Sequence, residues 1–527
     1  MVTKTTNPAG LSIGWSLILA AAFAAAYGFT PLYHANQNQY FFHGLAQAGV
    51  GILRADWLAG TIEVWPIFTQ LVRFTIVFLH PGAFHLYYGG LVALYAYSLL
   101  GIAARLPGWR GGATASLLFL ASVTVLHSPV VAAWSIWLLG ANLPGQLVRG
   151  VALQELLGGG MLQPATFGVL LVFSVYLFLR NQPTAAAVAA AAAAAVHPAY
   201  LVTSAVLIAA YVLILIRRPT ERRAAAVVLA VAGALLAPVA AFAALNFGPS
   251  DPDAWRLSRQ ILVEFRFPHH AVVGRWLGPM VFVKLAVVVA AIVLVHRADL
   301  AWIMGLWAAA AVGLTVMQLT SGSQALAVLF PWRISVVLVP LATAVVVARL
   351  SAAAAEMLTA RPGLAVGARS VAVLAMIFLA AGGVSDTWAR TLEHRRDDRA
   401  DLFAFVRKTA LSSHLYMIPS RWDAFRLSTG APTFVDFEFI PYEDKAVLEW
   451  YRRLGLSEAF YRHSQADRCR LAGFLSSDYG ITHVVAPVEM AACPGWVVLY
   501  EDERYRLYGL PSSGPEREKE RGRERSP

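Results

Sequence analysis

The sequence predicts an α-helical polytopic membrane protein with a small α/β domain at its C-terminal end. The 527 residues are 58% hydrophobic and only 14% charged, and the mean hydropathy is +0.59. Soluble globular domains are usually about 45–50% apolar and about 25% charged. Long apolar runs recur until residue 388, where polar and apolar residues begin to alternate. These observations predict a membrane domain at 1–388 followed by a water-soluble domain at 389–512.

About 20 apolar residues cross the hydrocarbon core of a bilayer. Ten runs approach or exceed that length, at 11–33, 84–104, 111–128, 163–179, 184–216, 224–245, 276–295, 299–319, 334–348 and 370–388. Because the first run is long and more runs follow it, we expect an anchor rather than a cleaved signal peptide. The run 184–216 is interpreted as a hairpin bent at His197-Pro198, and 130–143 as a re-entrant or interfacial helix. About eleven spans result.

The positive charges orient the protein. Lysine and arginine residues flank many span ends, at Lys4, Arg105, Arg110, Arg180, Arg217, Arg218, Arg222, Arg223, Arg297, Arg349, Arg361 and Arg369. Such residues favour the cytoplasmic side of a membrane. We therefore expect a membrane protein with its N-terminus in the cytoplasm and its C-terminal domain outside. The net charge of +11 has this cause and indicates no nucleic-acid partner.

The C-terminal region has the alternation of an α/β unit. We expect strands at 414–419, 432–440 and 482–487, a helix at 443–454 and a hairpin at 496–510. Cys469 and Cys493 both fall here, and they are either a disulfide in an oxidising compartment or two buried thiols. The charged tail 513–527 lacks the apolar residues of a core and is predicted to be disordered.

An outer loop at 34–83 carries the first candidate site. Asp56 and Glu63 lie among aromatic residues, and a carboxylate there would act as a general base or as a metal ligand. The alternative for Asp56 is a helix cap or a salt bridge with Arg54. Asn38 belongs to a polar run that would hydrogen-bond a sugar or cap a helix beginning at Tyr40.

Further polar residues fall on the outer ends of spans or in outer loops under this topology, and we assign them to substrate binding: His85, Gln163, His197, Arg266, His269, His270, Gln324 and Arg333. Arg266 and the two neighbouring histidines suit a phosphate or pyrophosphate. Arg333 would bind a lipid phosphate or extend to the headgroups. Each His-Pro turn is alternatively a simple helix stop. Lys284 lies inside a span and requires a partner or a wet cavity.

Common signatures of soluble enzymes are missing from the sequence. There is no Gly-rich phosphate loop, no GxSxG elbow, no HExxH and no CxxC pair. Transport driven by nucleotide hydrolysis is therefore disfavoured.

Several of these segments together resemble a bacterial membrane-protein family related to the GT-C glycosyltransferases. They are LRADW in the outer loop, QPATFG, the HP turns, RFPHH, PWRIS and the C-terminal FRLSTGAPTFVDFEFIPYEDKAVLEWYRRL and SDYGITHVV. The resemblance implies transfer of a sugar from a polyprenyl-phosphate donor to an envelope glycan, lipid or protein at the outer membrane face. It also implies that Asp56 is the base or holds a divalent metal, Mg²⁺ or Mn²⁺. Asp56 has no adjacent second acid, which leaves metal dependence open.

Two other function classes stay open. A transporter or flippase of a lipid-linked or polar solute would use the same polar residues but would usually contain internal repeats. A non-catalytic envelope assembly protein would not need an acidic pair. If the protein is a transferase, we expect Asp56 to share a cavity with Arg333 and with the Arg266–His270 segment.

Overall fold

The computed structural model describes residues 10–110 and 112–511 and divides the chain into two compact units. Unit 1 contains the chain up to Pro31, Pro81–Leu245 and Arg259–Leu392. Unit 2 contains Leu32–His80, Asn246–Ser258 and the chain from Glu393 onward. Residues 32–80 of the predicted outer loop therefore fold with the C-terminal region.

Unit 1 is helical. Its longer helices are Ile13–Tyr27, Ala83–Ala103, Gly112–His127, Pro129–Leu139, Val169–Leu179, Pro183–Val196, Leu201–Ile216, Arg222–Phe247, Pro279–Leu294, Asp299–Ser321, Ser335–Thr359 and Pro362–Arg395. Short helical pieces connect them at Leu143–Gln146, Gly158–Gly160, Pro164–Gly168, Pro198–Tyr200, Pro219–Glu221, Ile261–Arg266, Pro268–Ala271, Val273–Trp276, Gln324–Val328 and Pro331–Ile334. Many begin at proline, whose fixed φ suits the first helical turn.

Six helices of the described chain are long and apolar enough to cross a membrane, or seven if one bent pair counts as a span. The predicted class is confirmed, whereas the count of about eleven spans is not. Five other apolar helices, Ile13–Tyr27, Pro66–Phe78, Pro164–Leu179, Pro183–Val196 and Pro279–Leu294, have only 10–17 residues. A bilayer crossing takes about 20 residues, so these five helices are shorter than a full crossing.

The bent pair is Gly112–His127 and Pro129–Leu139, which meet at an angle of 60°. Ser128 has an extended backbone between them, at φ −71° and ψ 130°, because the residue before proline disfavours the helical region. The second helix is the one predicted at 130–143. It exposes Trp134 and Trp137, as interfacial helices often do.

The long run at 184–216 is broken at the predicted turn. One helix ends at Val196, His197 is extended at φ −133°, and the chain becomes helical again from Pro198. The rings of Phe178 and Tyr211 stack at 4.1 Å between centroids and help to hold the second limb in place.

Unit 2 combines helices with a small sheet. Its helices are Gln37–Ala48, Pro66–Phe78, Pro252–Gln260, Ala400–Thr409, Phe425–Thr429, Asp444–Arg462 and Gln465–Tyr479, with 3₁₀ turns at Leu53–Ala55 and Trp57–Gly60. The four strands are β1 (Tyr416–Met417), β2 (His483–Pro487), β3 (Val497–Glu501) and β4 (Tyr505–Gly509), in the order β1-β2-β4-β3. Strands β1 and β2 are parallel, and the other pairs are antiparallel.

Most predicted elements of this region are present, but the strand predicted at 432–440 was wrong. Only Thr433 makes a bridge, to Tyr416. Further along, the Phe437 amide donates to the Ser420 carbonyl, and the Phe439 amide donates to an Asp436 carboxylate oxygen. These partners turn the segment away from the sheet. The predicted helix at 443–454 extends to Arg462.

Cys469 and Cys493 form a disulfide, which is the first of the two alternatives for this pair. Cys469 lies in the helix Gln465–Tyr479, and Cys493 lies in the loop between β2 and β3. The bond closes a loop over a sequence separation of 24 residues. A crosslink of this size restricts the unfolded chain and contributes roughly 3 kcal/mol in the chain-entropy estimate.

A buried histidine makes the stability of unit 2 depend on pH. His483 begins β2, and its ring centroid lies 4.1 Å from that of His414 and 4.7 Å from that of Tyr416. Burial, with the positive charge of His414 as a smaller cause, lowers the pKa of His483 to about 4. The folded protein therefore takes up a proton at His483 only at a lower pH than the unfolded chain does.

We expect the free energy of unfolding to fall as the pH drops from about 6.5 toward about 4, and to be insensitive to His483 at higher pH. The loss from this group should be about 1–2 kcal/mol, because solvent screens an incompletely enclosed ring. Thermal unfolding of the wild type and His483→Gln at pH 7 and pH 5 measures it. Equal pH dependence in the two proteins would contradict this expectation.

Candidate functional site

Asp56 lies between two short 3₁₀ turns of unit 2 and is only 2% exposed. One carboxylate oxygen accepts the Leu58 amide at 3.0 Å. The other accepts the Arg426 Nε at 2.7 Å and the Thr433 amide at 3.0 Å. Asp56 therefore caps a turn, as the alternative interpretation expected, but its ion-pair partner is Arg426 rather than Arg54.

Arg426 joins Asp56 to a second carboxylate. Its guanidinium also donates to Asp436, and all three side chains are fully buried. The rings of Phe42 and Phe439 enclose the guanidinium, with Cζ 5.4 Å and 4.5 Å from their centroids. We call Asp56, Arg426 and Asp436 the Arg426 cluster.

Burial decides the protonation of the Arg426 cluster. It raises the pKa of Asp436 to about 7, although the neighbouring arginine charge acts in the opposite direction. Two carboxylates that share one guanidinium would carry a net negative charge if both were ionised. A proton on Asp436 removes that charge, and a pKa of about 7 means that this proton is bound about half of the time near pH 7.

Glu63 occupies a different position from Asp56. One of its oxygens accepts the Trp65 amide at 2.7 Å, and the other lies 3.6 Å from His43 Nε2. It lines a small cavity of about 20 Å³ with Gln39, Phe42, His43, Leu58, Thr61, Ile62, Val64, Trp65, Phe439, Ile440, Pro441 and Tyr442. The space is sufficient for about one water molecule. Glu63 is partly accessible and hydrogen-bonded.

Asn38 is fully buried in unit 2. Its Nδ2 donates to Asp423 at 3.4 Å, whereas its Oδ1 has no partner among the described residues. The capping alternative was wrong in detail, since the helix begins at Gln37 and the Asn36 side chain makes no capping bond. A binding role for Asn38 stays a prediction.

The predicted phosphate-binding residues converge in unit 1. Arg266 ends a π-helical turn, and His269 and His270 follow in a short helix. The His270 Nδ1–H donates to the Ala152 carbonyl at 2.8 Å, and the His270 ring lies 6.0 Å from that of Phe330. Burial, with the charges of His269, Arg333 and Arg266 as smaller causes, lowers the pKa of His270 to about 3. His270 is therefore neutral, and the arginines supply the positive charge.

Arg333 lies beside these residues at the start of a long apolar helix. Phe330 precedes it in the left-handed region, at φ 49°, which is unusual for a residue that is not glycine. Such strain costs of order 1–3 kcal/mol and often occurs at functional sites. It turns the chain so that Arg333 Cζ lies 5.9 Å from the Tyr200 ring centroid and 6.0 Å from that of Phe330.

Arg333 and two tryptophans carry three buried N–H donors that have no acceptor within the described chain. They are Arg333 Nε, Trp332 Nε1 and Trp276 Nε1, and the centroids of the two indole rings lie 5.8 Å apart. Buried donors nearly always have partners in native proteins. Unsatisfied donors beside two arginines suit an anionic oxygen. We call Arg266, His269, His270, Trp276, Trp332 and Arg333 the Arg333 cluster.

His197 lies close to the Arg333 cluster, and the segment that follows Gln163 is joined to it through Tyr200. The His197 ring is 3% exposed and lies 5.2 Å from the Tyr200 ring, which also faces Arg333. The Tyr200 hydroxyl donates to Ala165, which follows the buried Gln163 by two residues. Of the other two candidates, Gln324 donates to Glu264 at 3.3 Å, and His85 packs 6.0 Å from Phe29.

Two charged residues of unit 1, Arg149 and Glu155, were missed by the sequence reasoning. Arg149 Nε lies 3.1 Å from Glu155 Oε1, and both side chains remain partly exposed. Lys284 has the partner that its position in a span required, because its Nζ donates to the Gly150 carbonyl at 2.9 Å. Arg149 and Glu155 could have been recognised in the sequence as a charged pair six residues apart within the non-periodic stretch 129–162. Arg426 and Asp436 offered no such local signal.

The described side chains contain no group of three or more His, Cys, Asp or Glu residues arranged to hold a metal ion. Around Asp56 the carboxylate oxygens already bind a guanidinium and two backbone amides. That donor set does not fit a divalent metal, so no step of the reaction is derived through one.

Comparison with known proteins finds one matching segment and two similar crystal structures. A domain of unknown function, DUF6798, matches residues 397–456, which include Arg426 and Asp436. No curated protein matches the chain. Two crystal structures of ArnT from Cupriavidus metallidurans, one bound to undecaprenyl phosphate and one in the apo state, are similar to it with a TM-score of 0.48 each. The identities are 13% and 14%, over 95% of this chain and 98% and 99% of the ArnT chains.

Proposed function

We propose that this membrane protein transfers a sugar from a polyprenyl-phosphate donor to an acceptor of the cell envelope. The observation that carries the proposal is the Arg333 cluster, in which Arg333 Nε and the indoles of Trp276 and Trp332 are buried donors without acceptors in the described chain. Such donors beside arginine charges suit a phosphate that enters from the lipid phase. The cluster begins one of the long apolar helices, so a phosphate headgroup and its prenyl chain would reach it together.

The chemistry needs a held leaving group and an activated acceptor. The bond between the anomeric carbon and the phosphate oxygen breaks, and the acceptor hydroxyl oxygen forms a new bond to that carbon. Arg266 and Arg333 would stabilise the departing phosphate, because preorganised positive charge lowers the energy of a developing anion. A carboxylate would take the acceptor proton.

Asp56 is the carboxylate that the family resemblance assigns to this step. In the described conformation its oxygens are occupied by Arg426 and two amides. Asp56 would therefore act only if Arg426 releases it. Glu63, which is partly accessible, is the other candidate of the same loop.

Two matched variants test the role of Asp56. Asp56→Asn and Asp436→Asn each remove one of the two carboxylates that Arg426 binds, so they should perturb the fold to a similar extent. If Asp56 is the base, Asp56→Asn should lower transfer by about 10²–10⁴-fold and Asp436→Asn should not. Mass spectrometry of envelope glycans and lipid-linked sugars in a deletion strain complemented with each variant gives the readout.

Loss of a glycan in the deletion strain, with accumulation of one lipid-linked sugar, is the result expected of a transferase. An equal effect of Asp56→Asn and Asp436→Asn would assign Asp56 to stability alone. A deletion strain with unchanged glycans and unchanged lipid-linked sugars would contradict the transferase proposal. It would favour the non-catalytic assembly protein, which does not need an Asp56 carboxylate that is free to take a proton.

A further inference from the structure

A second polar site lies in unit 1 beside the Arg149–Glu155 ion pair. A cavity of about 50 Å³ is lined there by Tyr27, Tyr95, Leu126, His127, Ser128, Ala132, Asn142, Gly145, Val148, Arg149, Glu155, Leu156 and Leu157. We call it the Glu155 pocket. A volume of this size holds a few water molecules or the hydroxyl edge of a larger ligand. Because Arg149 and Glu155 are 40% and 29% exposed, the pocket is open to a ligand from outside.

The Glu155 pocket has a buried hydrogen-bonding group without a partner. Ser128 lines the pocket and is 2% exposed, and its hydroxyl has no partner in the described chain. Because buried polar groups are normally satisfied, this hydroxyl indicates a polar ligand rather than an apolar one.

The backbone around the pocket is also of the kind that binds ligands. Ser128 marks the break of 60° between the helices Gly112–His127 and Pro129–Leu139. Interrupted helices at membrane depth occur where the freed backbone groups line a cavity. The pocket therefore lies where the membrane domain departs from regular helix.

One loop connects the Glu155 pocket to the Arg333 cluster. The Gly150 carbonyl accepts Lys284 Nζ at 2.9 Å, and the Val151 amide donates to Ser335 Oγ at 2.7 Å. The Ala152 carbonyl accepts His270 Nδ1–H at 2.8 Å. The last of these bonds joins the loop directly to the Arg333 cluster through His270, and Glu155 follows Ala152 by three residues. Three residues extend over at most about 11 Å.

We infer that the Glu155 pocket binds the sugar of the polyprenyl-phosphate donor whose phosphate lies at the Arg333 cluster. The inference rests on the proposed function. The Glu155 carboxylate accepts hydrogen bonds from sugar hydroxyls, and Arg149 and Asn142 donate to sugar oxygens. The Ser128 hydroxyl supplies a further partner. Glu155 is then a determinant of sugar specificity, whereas Arg333 binds any polyprenyl phosphate.

Lipids that co-purify with the full-length protein test the inference, and the sugar need not be identified beforehand. The protein and its variants are purified from their own cells in detergent, and mass spectrometry measures sugar-linked and bare polyprenyl phosphate. Glu155→Gln should lower the ratio of sugar-linked to bare lipid about 10- to 100-fold and leave the bare lipid in place. Arg333→Ala should lose both species. Glu356→Gln changes an exposed carboxylate of the same unit and is the matched control.

Retention of bare polyprenyl phosphate also shows that Glu155→Gln is folded, and Asn142→Ala provides a second variant with the same expected direction. A wild-type ratio in both variants would overturn the sugar assignment and leave the proposed function intact. A wild-type protein that carries no polyprenyl phosphate of either kind would overturn the proposed function itself, and the inference with it.

Discussion

Replacement of Arg426 by alanine is expected to destabilise unit 2 by about 3–5 kcal/mol, because it leaves buried carboxylates without their counter-charge. Asp56 and Asp436 are both fully buried against the guanidinium. Without it, Asp436 would become fully protonated, since its pKa is already raised to about 7 by burial. Asp56 would keep two amide donors but no cation.

The aromatic surroundings add to the expected loss. Alanine also removes the guanidinium from the rings of Phe42 and Phe439 and opens a cavity in the core. Thermal or denaturant unfolding of the full chain in detergent measures the change. Arg462→Ala is the control, because Arg462 is 78% exposed and its pair with Glu458 contributes under about 1 kcal/mol. An equally small effect in the two variants would refute the structural role given to Arg426.

The second large effect is expected at Arg333. Arg333→Ala should weaken binding of a polyprenyl phosphate by about 2–3 kcal/mol, or roughly 30- to 150-fold, through loss of a charge-assisted contact. Trp276 and Trp332 lie in the same cluster, so tryptophan fluorescence in nanodiscs titrated with polyprenyl phosphate gives the dissociation constant.

Arg333→Lys separates charge from geometry. Lysine keeps the positive charge but lacks the planar fork of donors. The affinity of Arg333→Lys for polyprenyl phosphate should therefore lie between those of the wild type and Arg333→Ala. Arg110→Ala removes an exposed arginine of unit 1 and should bind as the wild type does. Unchanged affinity in Arg333→Ala would remove the phosphate from this cluster.

The sequence alone was sufficient to predict the features that depend on local composition. Apolar runs predicted the helical membrane domain, and alternation predicted the hairpin at 496–510. The positions of Arg266, His270 and Arg333 were also accessible, because each follows or precedes a proline at a helix boundary. Span number was less accessible, since length decides it and helices such as Pro183–Val196 stop early.

Long-range pairing was not predictable from the sequence. Arg426 lies 370 residues from Asp56, and no periodicity or spacing links the two. The sequence favours an exposed catalytic role for Asp56 because charge at a membrane face usually serves function. The structure instead gives it a buried partner, while its catalytic role stays a prediction. The strand expected at 432–440 is absent for a related reason. The Asp436 carboxylate accepts hydrogen bonds from Arg426 and from the Phe439 amide.

The Asp56–Arg426 bond also has a consequence for biogenesis. Asp56 leaves the ribosome 370 residues before its partner does. At the usual 5–20 residues per second, that interval lasts about 20–75 s. Throughout it, residues 32–80 lack the chain that completes their core, and their charges must stay hydrated or be shielded by a chaperone. A polypeptide that ends before Arg426 would therefore leave residues 32–80 unfolded, even if the intervening helices insert correctly.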